Sequence, residues 1–296
     1  MLALCIALAI ATPHFATTAN LVNVAEQTTI IGTLSVGMTF VILTGGIDLS
    51  AGSLVALCGI VLGLAAHRGM PTPGVVLLVL IAGMAGGALN GAMITLGRLP
   101  PFIATLGMMS VARGAALLMS GGRPVSGFDD SMRMVSVMRI VGIPAAVFVM
   151  IALYVLAWIV LGRTIFGRYV YAIGGNEEAS RYAGVKVRLC KWGVYVVSGL
   201  TCAVTSVILV ARLDSAQPTA GNAYELDAIA AVVVGGTSLL GGTGSIAGTL
   251  VGALIMSVLR NGLNLLDVSS YLQQIAIGVV VVLAVLLDFA IRRRRV

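Results

Sequence analysis

The sequence predicts an all-α polytopic membrane protein with about ten transmembrane helices, some of them broken and arranged as inverted repeats. The chain has 296 residues, of which 59% are hydrophobic and 10% charged, and its mean hydropathy is +1.07. An ordinary soluble domain has about a quarter of its residues charged. Apolar runs recur along the chain, and a helix needs about 20 such residues to cross a bilayer. The runs lack the alternation of a membrane β-barrel.

The apolar runs and the residues that interrupt them predict where each span lies. The first run has no basic residue before it, so we interpret it as a short first span and not as a signal peptide. An even number of spans puts both termini on one side, and Arg292 to Arg295 mark that side as cytoplasmic. The chain 1–296 is therefore expected to form one transmembrane domain. The spans are predicted near residues 1–12, 24–44, 54–67, 74–97, 102–121, 144–162, 192–212, 226–238, 244–263 and 271–290.

Charge and cysteine usage exclude several classes of protein. The net charge of +7 comes mostly from a central loop and the C-terminal arginines. It indicates a cytoplasmic face in contact with anionic lipid. Nucleic acid is not an expected partner, because no soluble basic domain is present to hold it. Four scattered cysteines and two isolated histidines predict neither a disulfide framework nor a metal site.

The central loop, residues 163–191, is the longest polar interruption and carries six of the eighteen basic residues. The positive-inside bias therefore places it in the cytoplasm. Asn176 suits a helix start with Glu177, Glu178 and Ala179 following, and Gly184 suits its end after Arg181. A short helix between two spans could pass force from a soluble partner. An ordinary charged loop that only fixes topology remains the alternative.

The two halves, about 24–121 and 192–290, resemble each other weakly in the same order. Val41 to Asp48 matches Val207 to Asp214, and the pair Pro101-Phe102 matches Ser270-Tyr271. The glycine series Gly83, Gly87, Gly91 matches Gly244, Gly248, Gly252. Spans two to five then correspond to spans seven to ten and run in the opposite direction, which is typical of transporters. Each glycine series is expected to put small residues on one helical face and so to allow close helix packing.

Two polar breaks supply the candidate residues for a substrate path. The first is Gly45 to Ser53, and the second runs from Asp214 to Asp227. Ionisable residues at membrane depth are functional candidates, although capping of a following half-helix explains the aspartates equally well. Arg113 and Arg260 also lie within spans, where either could face a wet cavity or pair with Asp267 or Glu26. The candidate path residues are Asp48, Ser50, Ser53, Asp214, Gln217 and Glu225.

Enzyme motifs are missing from the sequence. Lysine occurs only at positions 186 and 191, so there is no GxxxxGK[ST] loop for ATP. There is also no GxSxG elbow and no HExxH helix. We therefore expect no catalytic residue, no metal and no cofactor on this chain.

Several long motifs resemble a known family. These are VILTGGIDLSAGS, RLPPFIATLGMMSVARG, GRYVYAIGGNEEASRYAGV, ARLDSAQPTAGNAYELDAIAAVVVGGTSLLGGTGSIAGTLVGAL and NGLNLLDVSSY. Together they resemble the membrane permease of bacterial ABC importers of the ribose type, from about Thr12 to the C-terminus. The resemblance implies location in the bacterial inner membrane. It also implies that 174–184 is a coupling helix for the ATPase.

The same resemblance implies the partners. They are ABC ATPase subunits that hold ATP and Mg, a periplasmic substrate-binding protein and a second permease subunit. The expected cargo is a ribose-like monosaccharide. Another small cargo, such as an autoinducer-2-like furanone, a nucleoside or a branched-chain amino acid, stays open, as does a passive facilitator. The chain departs from the family at its start, where a longer basic N-terminus is usual.

Overall fold

The computed structural model describes residues 1–128, 131, 138–140 and 142–293. Arg294 and Arg295 of the predicted C-terminal basic cluster lie outside these residues. Twelve helices and four two-residue strands occur in the described part. The helices are α1 (Leu2–Ala11), α2 (Thr18–Leu43), α3 (Ala51–His67), α4 (Thr72–Thr95), α5 (Pro101–Ser120), α6 (Ala145–Arg163), α7 (Ile165–Gly175), α8 (Glu177–Tyr182), α9 (Val187–Leu213), α10 (Tyr224–Val234), α11 (Ile246–Leu265) and α12 (Ser270–Arg293).

The strands form two short antiparallel pairs. β1 (Val125–Ser126) pairs with β4 (Ser215–Ala216), and β2 (Arg139–Ile140) pairs with β3 (Ile143–Pro144). The β1–β4 pair joins the loop after α5 to the end of α9, which lie far apart in the sequence. The described structure is therefore all-α apart from these two short strand pairs.

Each predicted span coincides with a helix, but not every helix is long enough to cross a membrane alone. Six helices of the described residues are long and apolar enough by length and composition, namely α2, α4, α5, α6, α9 and α11. By contrast, α3 has 17 residues and α10 only 11. The predicted spans 54–67 and 226–238 are therefore shorter helices, each preceded by a non-helical segment.

Two helices form the centre of the molecule. Of the most apolar 18-residue stretch of each helix, 83% is buried in α2 and 78% in α9, whereas only 22% is buried in α5 and in α6. Several buried hydroxyl groups of α2 bond to their own helix: Thr28 donates to the Val24 carbonyl and Ser35 to the Ile31 carbonyl, both at 2.7 Å. Such bonds satisfy polar side chains where no water is available. The outer helices α5 and α6 expose apolar side chains to their surroundings.

Glycines lie where helices approach most closely. A Cβ atom on Gly83 or Gly87 would clash with the backbone of α9 at Gly199 or Tyr195, and one on Gly91 would meet Trp192. Close approach of this kind is the usual role of small residues in membrane helices.

The second glycine series differs from its prediction. Gly248 and Gly252 of α11 contact the backbone of α10 at Gly235 and Ala231. Gly244, however, precedes Ser245, the residue that caps α11, and its Cβ would meet Thr237. The prediction that Gly244 shares a helix face with the other two was wrong, because Ser245 begins the helix after it. The two series also pack against non-equivalent helices.

The ends of the helices define two faces of the bundle. The carbonyl of Leu43, at the end of α2, accepts a hydrogen bond from the Gly242 N–H at 2.9 Å. Gly174 of α7 lies against the same carbonyl. Thus α2 ends and α9 begins on the face that carries α7 and α8, which we call the loop face. β1 and β4 follow α5 and α9 at the opposite face.

Candidate functional site

The predicted short helix in the central loop is present as α8, with defined signals at both ends. The Ala179 N–H donates to Asn176 Oδ1 at 2.9 Å, which caps the start. At the other end, Gly184 adopts a left-handed conformation with φ of 83°. The N–H of Val185 donates to the Ser180 carbonyl and that of Gly184 to the Arg181 carbonyl, which is a Schellman end. The helix is therefore held in one conformation by its own caps.

The two glutamates of α8 have different surroundings. Glu177 bonds to Arg181 at 3.1 Å and to Lys191, at the start of α9, at 2.5 Å. Partial burial opposes ionisation of Glu177, but the hydrogen bond and charge of Lys191, with those of Arg181, outweigh it and lower the pKa. Glu177 therefore ties α8 to α9. Glu178 and Ala179 are exposed, as is Tyr182 at 89%.

The helix before α8 touches both halves of the chain. Gly174 and Gly175 of α7 lie against Gly242, and Gly174 also lies against Leu43. Tyr171 Oη donates to the Gly244 carbonyl at 3.1 Å. The central loop therefore rests on the end of α2 and on the segment 235–245 that leads into α11.

The first break encloses a buried carboxylate. Asp48 is fully buried, and its Oδ1 accepts hydrogen bonds from the Ser50 N–H at 3.0 Å and the Ser50 hydroxyl at 2.6 Å. Its Oδ2 accepts from the Ser198 hydroxyl of α9 at 2.7 Å. Asn90 of α4 donates to the Ser50 hydroxyl at 2.7 Å. Asp48 and Ser50 thus join the start of α3 to α4 and α9, and Ser53 is buried in the first turn of α3.

The second polar break, Asp214 to Asp227, is in contact with the first, Gly45 to Ser53. A Cβ atom on Gly52 would clash with the Gly221 carbonyl and with Glu225, and one on Gly221 would clash with Gly52. The starts of α3 and α10 therefore lie against each other. Arg113 of α5 donates to the carbonyls of Pro218 and Ala220, each at 2.7 Å.

The other predicted path residues lie farther along this break. Asp214 ends α9 in a left-handed conformation with φ of 48°. Gln217 is exposed, whereas Glu225 is half-buried in the first turn of α10. The structure therefore separates Asp48 and Ser50, which belong to one buried network, from Gln217.

An ion pair that the sequence did not reveal lies beside this break. Arg260 of α11 donates to Asp227 of α10 at 2.6 Å, and the Asp227 side chain is 6% exposed. A wet cavity, Asp267 and Glu26 were the alternatives left open for Arg260. Neither Asp267 nor Glu26 is its partner, because α11 packs on α10 and presents Arg260 to Asp227. Glu26 instead lies 4.0 Å from Arg212.

Two cavities adjoin the Asp227–Arg260 pair. The larger, of about 580 Å³, lies between α10, α11 and α12. The smaller, of about 30 Å³, is also lined by Gln27 and Ser257. Within the described residues, no group of three or more His, Cys, Asp or Glu side chains is placed to hold a metal ion. These cavities offer space for a polar solute or water.

The known proteins to which this chain is similar are permeases by name. The family model described as "Branched-chain amino acid transport system / permease component" matches residues 20–285. The ribose import permease of Escherichia coli K12 is 49% identical over 280 residues, which cover 93% of this chain and 87% of the relative. That of Bacillus subtilis is 47% identical over 96% of this chain and 89% of the relative.

More distant relatives are also sugar permeases by name. The xylose transport system permease of Escherichia coli K12 is 36% identical over 93% of this chain and 86% of the relative. No solved structure matches the chain. The family model matches most of the sequence, and together with these identities it shows that the chain belongs to the branched-chain amino acid transport system / permease component family.

Proposed function

We propose that the chain is the transmembrane permease subunit of a ribose-type ABC importer and moves a monosaccharide inward across the bacterial inner membrane. The observation that carries the proposal is the 49% identity to a ribose import permease over 93% of this chain. Permeases named for fructose and xylose are more distant, at 39% and 36% identity. Ribose is therefore a better first cargo to test than a furanone, a nucleoside or a branched-chain amino acid.

The proposal requires partners that this chain does not supply. ATP and Mg would be held by a separate ABC ATPase, and the sugar would arrive on a periplasmic binding protein. A second permease subunit would complete the membrane part. The exposed apolar side chains of α5, α6 and α12 suit contact with lipid or with that subunit.

The proposed orientation puts the loop face and both termini in the cytoplasm. Its support is the charge of the central loop, where six of the eighteen basic residues lie between positions 163 and 191. The passive-facilitator alternative is less favoured, because it gives no role to an exposed helix with caps at both ends.

An inverted repeat relating α2–α5 to α9–α12 is part of the proposal. Three features of the packing support it. Contacts of α3 with α4 and α5 correspond to contacts of α10 with α11 and α12, and contact of α4 with α9 corresponds to that of α11 with α2. The helix α2 ends at the loop face where α9 begins. Each half also contains one short helix, α3 or α10, after a break. The interface between such repeats is where a transport path is expected.

In the proposed mechanism, α8 is the coupling helix. Movement of the ATPase would act on its exposed residues Glu178, Ala179 and Tyr182. The ion pairs of Glu177 with Arg181 and Lys191 would keep α8 attached to α9 during that movement. Because α7 touches both the end of α2 and the segment before α11, displacement of the loop would reach both halves.

We propose different roles for the two groups of path residues. Asp48, Ser50 and Ser53 are buried among helices, and the first two satisfy one another and Ser198, so we assign them to holding the start of α3. Gln217 and Glu225, with Asp214, lie in the second break, beside which the cavities open. They remain candidates for contact with the sugar.

Charge reversal at Glu178 tests the coupling role. Glu177 is a poor probe, because its substitution would also break the ion pairs with Arg181 and Lys191. We expect Glu178→Lys to reduce co-purification of the ATPase and ribose uptake by the complete importer. Arg68→Glu, a charge reversal at the exposed end of α3, is the matched control and should leave ATPase association unchanged. Unchanged association and uptake in Glu178→Lys would refute the coupling role.

A further inference from the structure

The cavity between α10, α11 and α12 has many polar side chains in its lining, in a chain that is otherwise strongly apolar. Its volume is about 580 Å³, which is within the range of about 300–1,000 Å³ usual for small-molecule sites. Seven polar residues line it, among them Asn222, Asp227, Arg260, Asn264, Gln273 and Gln274. Carboxylate, amide and guanidinium groups can donate or accept the paired hydrogen bonds that vicinal hydroxyls make.

The polar groups of this lining are positioned by contacts within the chain. Gln273 is 8% exposed, and its Nε2 donates to Asn264 Oδ1 at 2.7 Å and to the Val268 carbonyl at 2.8 Å. Arg260 uses one guanidinium nitrogen for Asp227 at 2.6 Å. Within the described residues, the amide nitrogen of Asn264 and the other guanidinium nitrogens of Arg260 make no hydrogen bond, so they can bind a solute.

The helix α12 separates this lining from an apolar surface. The buried residues Gln273 and Ile277 line the cavity together with Gln274, whose side chain is exposed at its opening. Tyr271, Leu272, Ile275 and Val279, by contrast, are exposed on the outside at 52% or more. Polar side chains at membrane depth are costly unless they face protein, water or a solute. The distribution along α12 therefore indicates that one side of the helix faces lipid or protein, and the other faces an aqueous space.

The residues of α11 that line the large cavity show which face of the bundle it lies toward. Helix α11 begins beside the loop face, where Tyr171 bonds to Gly244. Its 20 residues extend about 30 Å at 1.5 Å per residue. Arg260 and Asn264 belong to the last two turns, so the large cavity lies toward the face opposite the loop.

The smaller cavity lies one turn closer to the loop face. Asp227 and Arg260 line both cavities, and Ser257 and Gln27 line only the smaller one. Ser257 Oγ and Gln27 Oε1 are buried and have no hydrogen-bond partner in the described chain. A volume of about 30 Å³ is enough for one water molecule. The Asp227–Arg260 pair is thus a wall common to the large cavity and the small one.

We propose that the large cavity is the outer part of the sugar path, and that Asp227, Arg260, Asn264 and Gln274 bind sugar hydroxyls there before the sugar passes the Asp227–Arg260 pair. This inference rests on the proposed function. It assigns the path to residues of α10, α11 and α12 and not to the first break at Asp48.

Accessibility to a charged, membrane-impermeant thiol reagent tests the cavity without reference to the cargo. Single cysteines would be placed at Gln274 and, as a matched control, at Leu272 on the exposed side of α12. Both would carry Cys5→Ser, because the other native cysteines are buried. We expect Gln274→Cys to react at least several-fold faster than Leu272→Cys in the complete importer. Equal rates, or a faster reaction at Leu272→Cys, would overturn the proposal.

Uptake measurements in proteoliposomes test the sugar contact. The side chain of Gln274 makes no hydrogen bond within the described residues, so Gln274→Ala should fold normally. We expect uptake of D-ribose to fall by about 2- to 10-fold, the range for loss of one hydrogen bond. ATP hydrolysis stimulated by the loaded binding protein should persist, and Leu272→Ala should behave like wild type. Unchanged uptake, or a parallel loss of ATP hydrolysis, would overturn the contact.

The two experiments separate this inference from the proposed function. A wild-type importer that takes up no ribose, together with the expected labelling contrast, would refute the cargo while supporting an aqueous cavity at Gln274. Ribose uptake by wild type with no labelling contrast would support the cargo and refute the cavity as its path.

Discussion

Replacement of Gly83 by alanine tests whether close contact between α4 and α9 holds the bundle together. The new methyl carbon would lie 2.6 Å from Ala203 Cβ and closer still to the Gly199 carbonyl. Carbon atoms pack at about 3.5–4.0 Å, so α4 and α9 must separate by roughly 1 Å at this point. Overpacking of this kind costs about 1–3 kcal/mol.

The matched control is Gly114→Ala in α5. Gly114 is exposed, and within the described residues no atom beyond its own stretch of helix lies within 4 Å of a Cβ placed on it. Alanine favours a helix interior by about 1 kcal/mol relative to glycine, and this gain is common to both variants. The difference between the two variants therefore isolates the steric cost at Gly83.

The assay is thermal unfolding of both purified variants in one detergent and at one scan rate, since unfolding of such proteins is often irreversible. Each kcal/mol corresponds to about 2–4 °C in Tm for large domains. We therefore expect the Tm of Gly83→Ala to lie at least about 2 °C below that of Gly114→Ala. Identical Tm values would refute the argument that α4 and α9 are held by close backbone contact.

Two further substitutions examine the first break and the central loop. Asp48→Asn should lower the free energy of unfolding by about 1–3 kcal/mol, because an amide cannot accept all three hydrogen bonds from Ser50 and Ser198; a Tm equal to that of wild type in the same assay would contradict the role of Asp48 in the network. Asn176→Ala should cost α8 about 0.5–2 kcal/mol through loss of its cap. Hydrogen exchange should then accelerate in residues 177–184 while α9 stays protected, and unchanged exchange in that peptide would argue against the cap.

Local signals in the sequence were enough to predict the helices of the apolar runs and the limits of α8, but not α7, which lies in the predicted loop. Apolar run length and the residues that interrupt each run act over a few positions, so the ten predicted spans all coincide with helices. The start at Asn176 and the end at Gly184 were predicted for the same reason. A cap depends on the chemistry of one residue and the backbone groups within three or four positions of it.

Pairings between distant helices were beyond the reach of the sequence. Arg260 lies 33 positions from Asp227, and only the packing of α11 on α10 brings them together. The cavity lining was missed for a similar reason, since Asn264 and Gln273 are ordinary polar residues near the end of a helix until both helices are placed. Gly244 was misassigned, because three glycines at equal spacing satisfy the helix pattern even when a cap interrupts it.

The lengths of α3 and α10 explain which buried charges are structural. At 1.5 Å per residue, helices of 17 and 11 residues extend about 25 Å and 17 Å, less than the roughly 30 Å of a bilayer core. The non-helical segments before them must complete the crossing, and their backbone groups need partners inside the protein. Asp48 accepts from the Ser50 N–H, and Arg113 donates to the Pro218 and Ala220 carbonyls.

The Asp227–Arg260 pair is a different case. Neither partner bonds to the backbone of a break in the described structure; they bond to each other, between two cavities. Removal of Asp48 or Arg113 leaves polar backbone exposed at membrane depth, and should therefore affect folding first. Stability does not require a buried ion pair, because well-packed apolar residues of similar volume often replace one without loss. The proposed sugar path gives Asp227 and Arg260, which lie between the two cavities, a role that stability does not.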